Sequence, residues 1–522
     1  MLPAHCSDRV APNADIDEDE REALLTISHG AVVTSGAVSA QRALSTATEF
    51  VLTRGLGPVA YGVYALAWRI AQVLTRLVTF GSVPALQRFL PAADDTQRSR
   101  VAGLAYLTTL GFGSAIAVAV WVLAPLINER TVAEPAFTPA MRLFGLLVGL
   151  FGLVMIVAAT FRAIGSARGE VLFNKLLRPS ARLVGALLAL ALGYSVVGVA
   201  GAIVACTLAL VVVGVPASIR STGIVPRVRG IRSEAGRFYN HAGPVAMSSL
   251  GKVFQNRIDI LLVGALLTAV DAGTYNVVLV LISITWIPLL SFNQLLPPVA
   301  SDLYADDRMA TLNAVYSSVT RLIVTTVLPF LAVLGVYGEQ LLGVFGPTYA
   351  RGYVPLVVYL GGVFVGSAVG ATGWLLMMTD HQYARMVLDW LLAVLNVALT
   401  YAFTVRFGLV GAALGTSLAI ATQNGLQVLL LRRFEGLFPF DRTFLKPLVA
   451  GGGMIATMLV VRASLSGLIA VGAGTAVGLA SYLLGLVVLG IDPRDRLVVA
   501  ELSARYRETI AETLVAYASI FL

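Results

Sequence analysis

Ser195-Val-Val-Gly-Val-Ala-Gly-Ala-Ile-Val-Ala-Cys-Thr-Leu-Ala-Leu-Val-Val-Val-Gly-Val-Pro-Ala-Ser218 runs for 24 residues without one charged side chain. Coiled as an α-helix it is about 36 Å long, enough to cross roughly 30 Å of hydrocarbon. It is not an isolated case. The 522 residues are 57% hydrophobic and 13% charged, with mean hydropathy +0.83. A soluble domain usually shows about a quarter charged residues. Apolar runs separated by polar or Pro/Gly breaks fall at 28–52, 59–83, 101–127, 140–162, 171–193, 195–218, 239–266, 273–298, 311–337, 353–378, 384–405, 408–431, 446–463 and 467–490. The pattern predicts an all-α polytopic membrane protein of about fourteen transmembrane helices. The short connections at 193/195 and 405/408 rest on Gly193 and Gly408 as helix stops.

Residues 1–27 are polar and acidic, with Asp15, Asp17, Glu18, Asp19, Glu20 and Glu22. A secretory signal opens instead on positive charge and a short apolar core, so a polar tail is expected here. The two cysteines, Cys6 and Cys206, are far apart in character and imply neither a disulfide framework nor a thiolate metal site. No metal or other cofactor is expected. The net charge of +8 would suit nucleic acid in a soluble protein; in a membrane protein it is explained by basic cytoplasmic loops. One set of loops carries sixteen Arg and Lys (among them Arg88, Arg98, Arg100, Arg227, Arg229 and Arg232), the opposite set five. The positive-inside rule then puts both termini in the cytoplasm of a multi-pass cell-membrane protein, with no nucleic-acid partner.

The chain also repeats itself. A shift of 210 or 211 residues places Arg42 on Lys252, Glu49 on Asp259, Gly62 on Gly273 and Tyr64 on Tyr275. Gly198-Val-Ala-Gly-Ala202 falls on Gly408-Leu-Val-Gly-Ala412. This predicts two six-helix lobes, 28–218 and 239–433, joined by a basic cytoplasmic linker at 219–238. An even helix count makes them parallel repeats about an axis along the membrane normal. Two extra helices lie in 434–490. Beyond them, 491–522 reads as an amphipathic helix on the inner membrane surface, with Val498, Leu502, Tyr506, Ile510 and Leu514 on one face.

Thr53-Arg-Gly-Leu-Gly-Pro-Val-Ala-Tyr-Gly-Val-Tyr64, continued by Phe80-Gly-Ser-Val-Pro-Ala-Leu-Gln-Arg-Phe-Leu90, resembles the first loop and second helix of the polysaccharide biosynthesis/export family. Arg257-Ile-Asp-Ile-Leu-Leu-Val-Gly264 and Ala272-Gly-Thr-Tyr275 look like that family's seventh and eighth helices. The family contains the O-antigen-type flippases of the multidrug/oligosaccharidyl-lipid/polysaccharide exporter superfamily. The resemblance implies two six-helix lobes around a central cavity. It also implies movement of an isoprenoid-linked saccharide from the cytoplasmic to the outer leaflet. The lipid-linked oligosaccharide, membrane lipids and glycan-assembly enzymes are the expected partners.

Charges inside the spans mark the candidate site, because each costs roughly 2.5–3.5 kcal/mol on insertion scales. Arg42 and Glu49 lie seven apart on one helix, as do Lys252 and Asp259, so each pair shares a face. A carrier's pyrophosphate needs such cations where water is scarce. The expected substrate-binding set is Arg42, Arg69, Arg76, Lys252 and Arg257, with Glu49 and Asp259 in ion coupling or gating. The competing reading is that the pairs hold each lobe together. Arg76 also reads as a snorkelling residue, and Arg257 as one seeking a partner on another helix. Lys175, Arg178 and Arg182 form a stripe that reads as a headgroup anchor or as a docking point for the lipid phosphate. Arg321 and Asp389 have no partner visible in the sequence, and His29 and His241 read as interfacial residues.

Many intramembrane Arg and few acids favour an anionic substrate over the cations of a multidrug or small-metabolite antiporter. A membrane glycosyltransferase or polymerase would need carboxylates on a sizeable outer loop, whereas the first outer loop is short and carries no acid. No Gly-Lys-Ser/Thr phosphate loop is present. The chain therefore reads as a transporter and not an enzyme.

Overall fold

The computed structural model describes residues 18–256, 258–293, 296–490, 492–496 and 500, and every regular element among them is helical. In chain order we label α1 (Glu18–Leu56), α2 (Pro58–Val78, resuming as Ser82–Phe89), α3 (Asp95–Glu129), α4 (Phe137–Ala163) and α5 (Ala167–Glu170, a π-helical Val171–Leu177, then Arg178–Ala191). Next come α6 (Val196–Thr222), α7 (Arg232–Asn256 and Ile258–Leu266), α8 (Ala269–Thr285, Ile287–Phe292 and Leu296–Ala305) and α9 (Met309–Phe345). A 3₁₀ turn, Pro347–Gly352, leads into α10 (Tyr353–Ala368 and Thr372–Met378). The run Gln382–Glu435 bends at Gly408 (φ 59°, ψ −135°), a conformation open to glycine; its two arms are α11 and α12. The last two are α13 (Leu445–Ser464) and α14 (Gly467–Val488). Gly193, at φ 75°, makes the turn after α5.

Among the described residues, eight continuous runs are long and apolar enough to cross a membrane: α3, α4, α6, α9, α10, the α11–α12 run, α13 and α14. The other five segments, α1, α2, α5, α7 and α8, are interrupted or diluted by polar residues. They hold Arg42, Glu49, Arg69, Lys175, Arg178, Arg182 and Asp259. These five helices thus combine lower hydropathy with much of the interior charge, although Arg321 is buried on the apolar α9.

Two expectations shift. The polar tail expected through residue 27 is shorter, since α1 already begins at Glu18. Glu18 and Glu22 there oppose the positive end of the helix dipole. The basic linker expected at 219–238 is also shorter, since α6 continues to Thr222 and α7 starts at Arg232, leaving 223–231 between them. That short segment lies directly on α3, where Arg227 N–H donates to the Ser99 carbonyl at 2.9 Å. The amphipathic tail falls almost wholly outside the described residues.

Packing, not hydropathy, holds helices together inside lipid. Tyr61, Tyr64 and Trp68 of α2 stack in succession, at 6.3 and 6.2 Å between ring centroids. Phe144 and Phe151 of α4 meet Trp68 edge-on, each at 5.8 Å. The opposite side of α2 packs on α8. A Cβ at Gly62 would lie 1.8 Å from the Ala269 carbonyl oxygen, and one at Gly273 would lie 3.1 Å from the Gly62 Cα. Only glycine permits this backbone contact, which explains why the landmark glycines of both copies recur. At the other end of α2, Gly81 sits equally close to Ala242 of α7. The two halves of the chain therefore touch at both ends of α2.

Candidate functional site

Glu49 of α1 is 2% exposed and lies about 10 Å inside the end marked by Gly57. Arg182, itself buried on α5, donates from Nη2 to Glu49 Oε1 at 2.5 Å and from Nε to Tyr64 Oη at 2.8 Å. Its guanidinium plane lies on the Trp68 ring, 3.9 Å from the centroid. The second Glu49 oxygen accepts from Tyr61 Oη at 2.8 Å and from Asn276 Nδ2 at 3.3 Å. Asn276 also donates to Tyr61 Oη at 2.7 Å, and its Oδ1 accepts from Arg69 Nε, again at 2.7 Å. Arg69 Nη1 reaches Gln72 at 3.0 Å.

These bonds make one continuous buried network. Both Glu49 oxygens have donors, so the charge that would be prohibitive alone is accommodated. Asn276 contributes from α8, fully buried and three residues beyond Gly273 on the same face. Through it, the network crosses the α2–α8 seam. Tyr349, in the turn before α10, meets Tyr61 edge-on at 5.6 Å, and its buried hydroxyl has no hydrogen-bond partner among the described residues.

The repeat-related position is built from the same residue types. Asp259 of α7 is 4% exposed; its Oδ2 accepts from Tyr275 Oη at 3.1 Å and its Oδ1 from the Ile260 N–H at 2.8 Å. In each copy a buried carboxylate on the first helix faces a tyrosine of the second.

The remaining expected residues disperse. Arg42 is half-buried on α1, close enough for its charge to act on Lys175 together with those of Arg178, Arg162 and Glu170. Arg76 is exposed on α2. Lys252 lies within α7, with its side chain outside the described residues, and Arg257 is outside them altogether.

The Lys175–Arg178–Arg182 stripe is not a uniform headgroup anchor. Arg182 turns into the bundle onto Glu49, and Arg178 lies over the Phe151 ring at 5.6 Å. Arg321 and Asp389 are not lone charges. Arg321 gathers Asp441, Asp492 and Asp495 at 2.9, 3.1 and 3.0 Å, and Asp389 takes Arg385 and Gln423 at 3.0 and 2.8 Å. Arg321's partners are far away in sequence, where a helix-face reading does not look, whereas Arg385 lies one turn before Asp389 on the same helix and was within its reach. His241 pairs with Arg88 at 3.0 Å.

Sequence reasoning missed Arg182 as the partner of Glu49, and it missed Asn276 and Tyr61. Asn276 could have been found as an amide opening the otherwise apolar run Val277–Ile284.

An all-helical bundle with eight long apolar spans among the described residues, built around a buried, charge-bearing seam, defines a multi-pass membrane protein with the fold of the MOP transporters. The inward closed structure of the lipid II flippase MurJ superposes at TM-score 0.68, with 13% identity over 92% of this chain and all of that one. An inward-facing multidrug resistance MATE family transporter of the MOP superfamily gives 0.64, with 14% identity over 76% and 94%. An outward-facing MATE structure gives 0.55, with 16% identity over 80% and 96%. No curated relative matches the chain. The profile of the family described as polysaccharide biosynthesis protein matches residues 51–351, and the chain belongs to that family.

Proposed function

We propose that the protein is a flippase. It moves a polyprenyl- or dolichyl-phosphate-linked oligosaccharide from the cytoplasmic to the outer leaflet by alternating access, for surface polysaccharide or glycoprotein glycan assembly. The observation carrying this reading is the concentration of cations inside the spans. Arg42, Arg69, Lys175, Arg178 and Arg182 all occupy α1, α2 and α5, in a member of a polysaccharide biosynthesis family. A phosphate-bearing lipid must have its charge neutralised while it crosses, and guanidinium forks do this directionally. The similarity of fold to a lipid II flippase supports the same class of substrate.

In this reading the Gly57 end is extracellular, the Arg88 end cytoplasmic, and the α2–α8 seam opens and closes between them. Arg42 and Arg69 receive the carrier's phosphates, with Lys252, Arg257 and Arg76 along the path. Glu49 and Asp259 govern coupling or gating.

The second reading, a multidrug or metabolite antiporter, draws on the two buried carboxylates at repeat-related positions and on the MATE-like fold. Lipid extracts of a deletion strain separate the two. A flippase leaves carrier-linked glycan accumulated inside and surface glycan lost. Unchanged surface glycan with altered sensitivity to cationic drugs would support the antiporter.

A further inference from the structure

We propose that the groove between α9, α10 and α13 binds one acyl chain of a membrane phospholipid, with Arg462 at its headgroup. The site belongs to the C-terminal half, shares no residue with the Glu49 network, and does not depend on the flippase reading.

The groove holds about 490 Å³, within the roughly 300–1,000 Å³ of small-molecule sites. α10 and α13 each pack along α9 but barely on one another, and the groove is the space between them. Leu331 of α9, Leu360 and Phe364 of α10, and Ile455 and Leu459 of α13 line it. Ile455 and Leu459 are exposed, so it opens on the lipid-facing surface. Two of its glycines leave room: a Cβ at Gly335 or Gly361 would meet no atom within 4 Å.

Length and polarity fit one chain in one leaflet. The lining runs from Tyr353 to Phe364 and from Gly451 to Arg462. Each stretch is about 16 Å of helix, close to half of the ~30 Å hydrocarbon core. The polar groups gather at the end of the bundle marked by Phe345. There Tyr353 Oη donates to the Gly335 carbonyl at 2.7 Å. Arg462 donates from Nη1 to the Val336 carbonyl and from Nη2 to Glu339 at 3.4 Å. These bonds pin both walls to α9 at the mouth, and Tyr337 Oη on the Met458 carbonyl, at 2.9 Å, holds α13 one turn further in. The fold itself therefore keeps the gap open.

An apolar hollow of this size excludes water, and left empty it forfeits the dispersion contacts of its lining. A guanidinium has five N–H donors, and these bonds use two, leaving others for a phosphate oxygen. A phospholipid, apolar through one leaflet and phosphate-bearing at its edge, matches both parts.

The test uses purified full-length protein in phosphatidylcholine nanodiscs containing phosphatidylglycerol with a diazirine in one acyl chain. Photolabel mapped on the native protein should concentrate in 328–336, 353–364 and 451–462. Gly335→Leu and Gly361→Leu should each cut that labelling about tenfold at unchanged or raised thermal stability, because the new side chain enters open space. Gly452→Leu, on an exposed face of α13 outside the groove, should stay within about twofold of native. Arg462→Gln should cut labelling about threefold, and Arg462→Lys less. Label spread evenly over the lipid-facing helices, or undiminished in both leucine variants or in Arg462→Gln, overturns the proposal. So does displacement by a polyprenyl diphosphate at a tenfold lower concentration than by unlabelled phosphatidylglycerol, which would give the groove to an isoprenoid tail.

Discussion

Glu49 and Arg182 are each tolerable in the bundle only because the other is present. Removing one partner of a buried ion pair typically costs about 3–5 kcal/mol. Arg182→Ala should therefore accumulate poorly and melt early, and adding Glu49→Gln should restore much of the loss; thermal unfolding in detergent measures both. Arg42 has a different expected signature. Arg42→Ala should leave normal amounts of folded protein yet abolish flipping, and Arg42→Lys should keep part of the activity, since Lys keeps the charge without the fork. If Arg42→Ala instead fails to accumulate, its role is structural. At this scale the sequence displayed the costly residues but not their partners. Glu49 stood out because a carboxylate inside an apolar run is expensive. Arg182, 133 positions away, and Arg321's three aspartates are joined only by the tertiary fold.

The helices themselves were legible, since hydrophobic length is set by membrane thickness, and the repeat located the two glycines that meet at the seam. The breaks inside helices were less visible. Val171–Leu177 has an ordinary apolar composition, and nothing in it distinguishes a π turn from an α turn. The α2–α8 seam makes its own prediction. Asn276→Asp keeps the size of the side chain but sets a carboxylate against Glu49, and Asn276→Ala removes the bond to Arg69. Both should loosen the seam, so that Val277→Cys in a chain lacking the native cysteines reacts faster with an impermeant maleimide added outside. Labelling at the native rate would mean that the glycine contact alone holds the seam. Near the other end, Arg321 fastens α9 to the segments at Asp441 and Asp492–Asp495. Burial pushes the Asp495 carboxyl above the usual carboxylate range, against the pull of Arg321. A carboxyl raised in this way contributes stability that is complete below its unfolded pKa and lost as pH rises through its folded pKa. Asp495→Asn should therefore flatten the loss of thermal stability across that window; an unchanged slope would assign it to other groups.

For the whole molecule, the account requires two halves that separate at one end of α2 while closing at the other. Orientation follows from charge alone: reporter fusions after residues 230 and 440 should read cytoplasmic, and those after 130 and 345 external. One fusion on the wrong side breaks the fourteen-helix arrangement. The most direct measurement is translocation of a polyprenyl-diphosphate-linked saccharide in proteoliposomes carrying the purified protein. The account predicts protein-dependent movement between leaflets that is lost in Arg42→Ala at equal reconstitution. Movement no faster than in empty liposomes, or undiminished in Arg42→Ala, would contradict it.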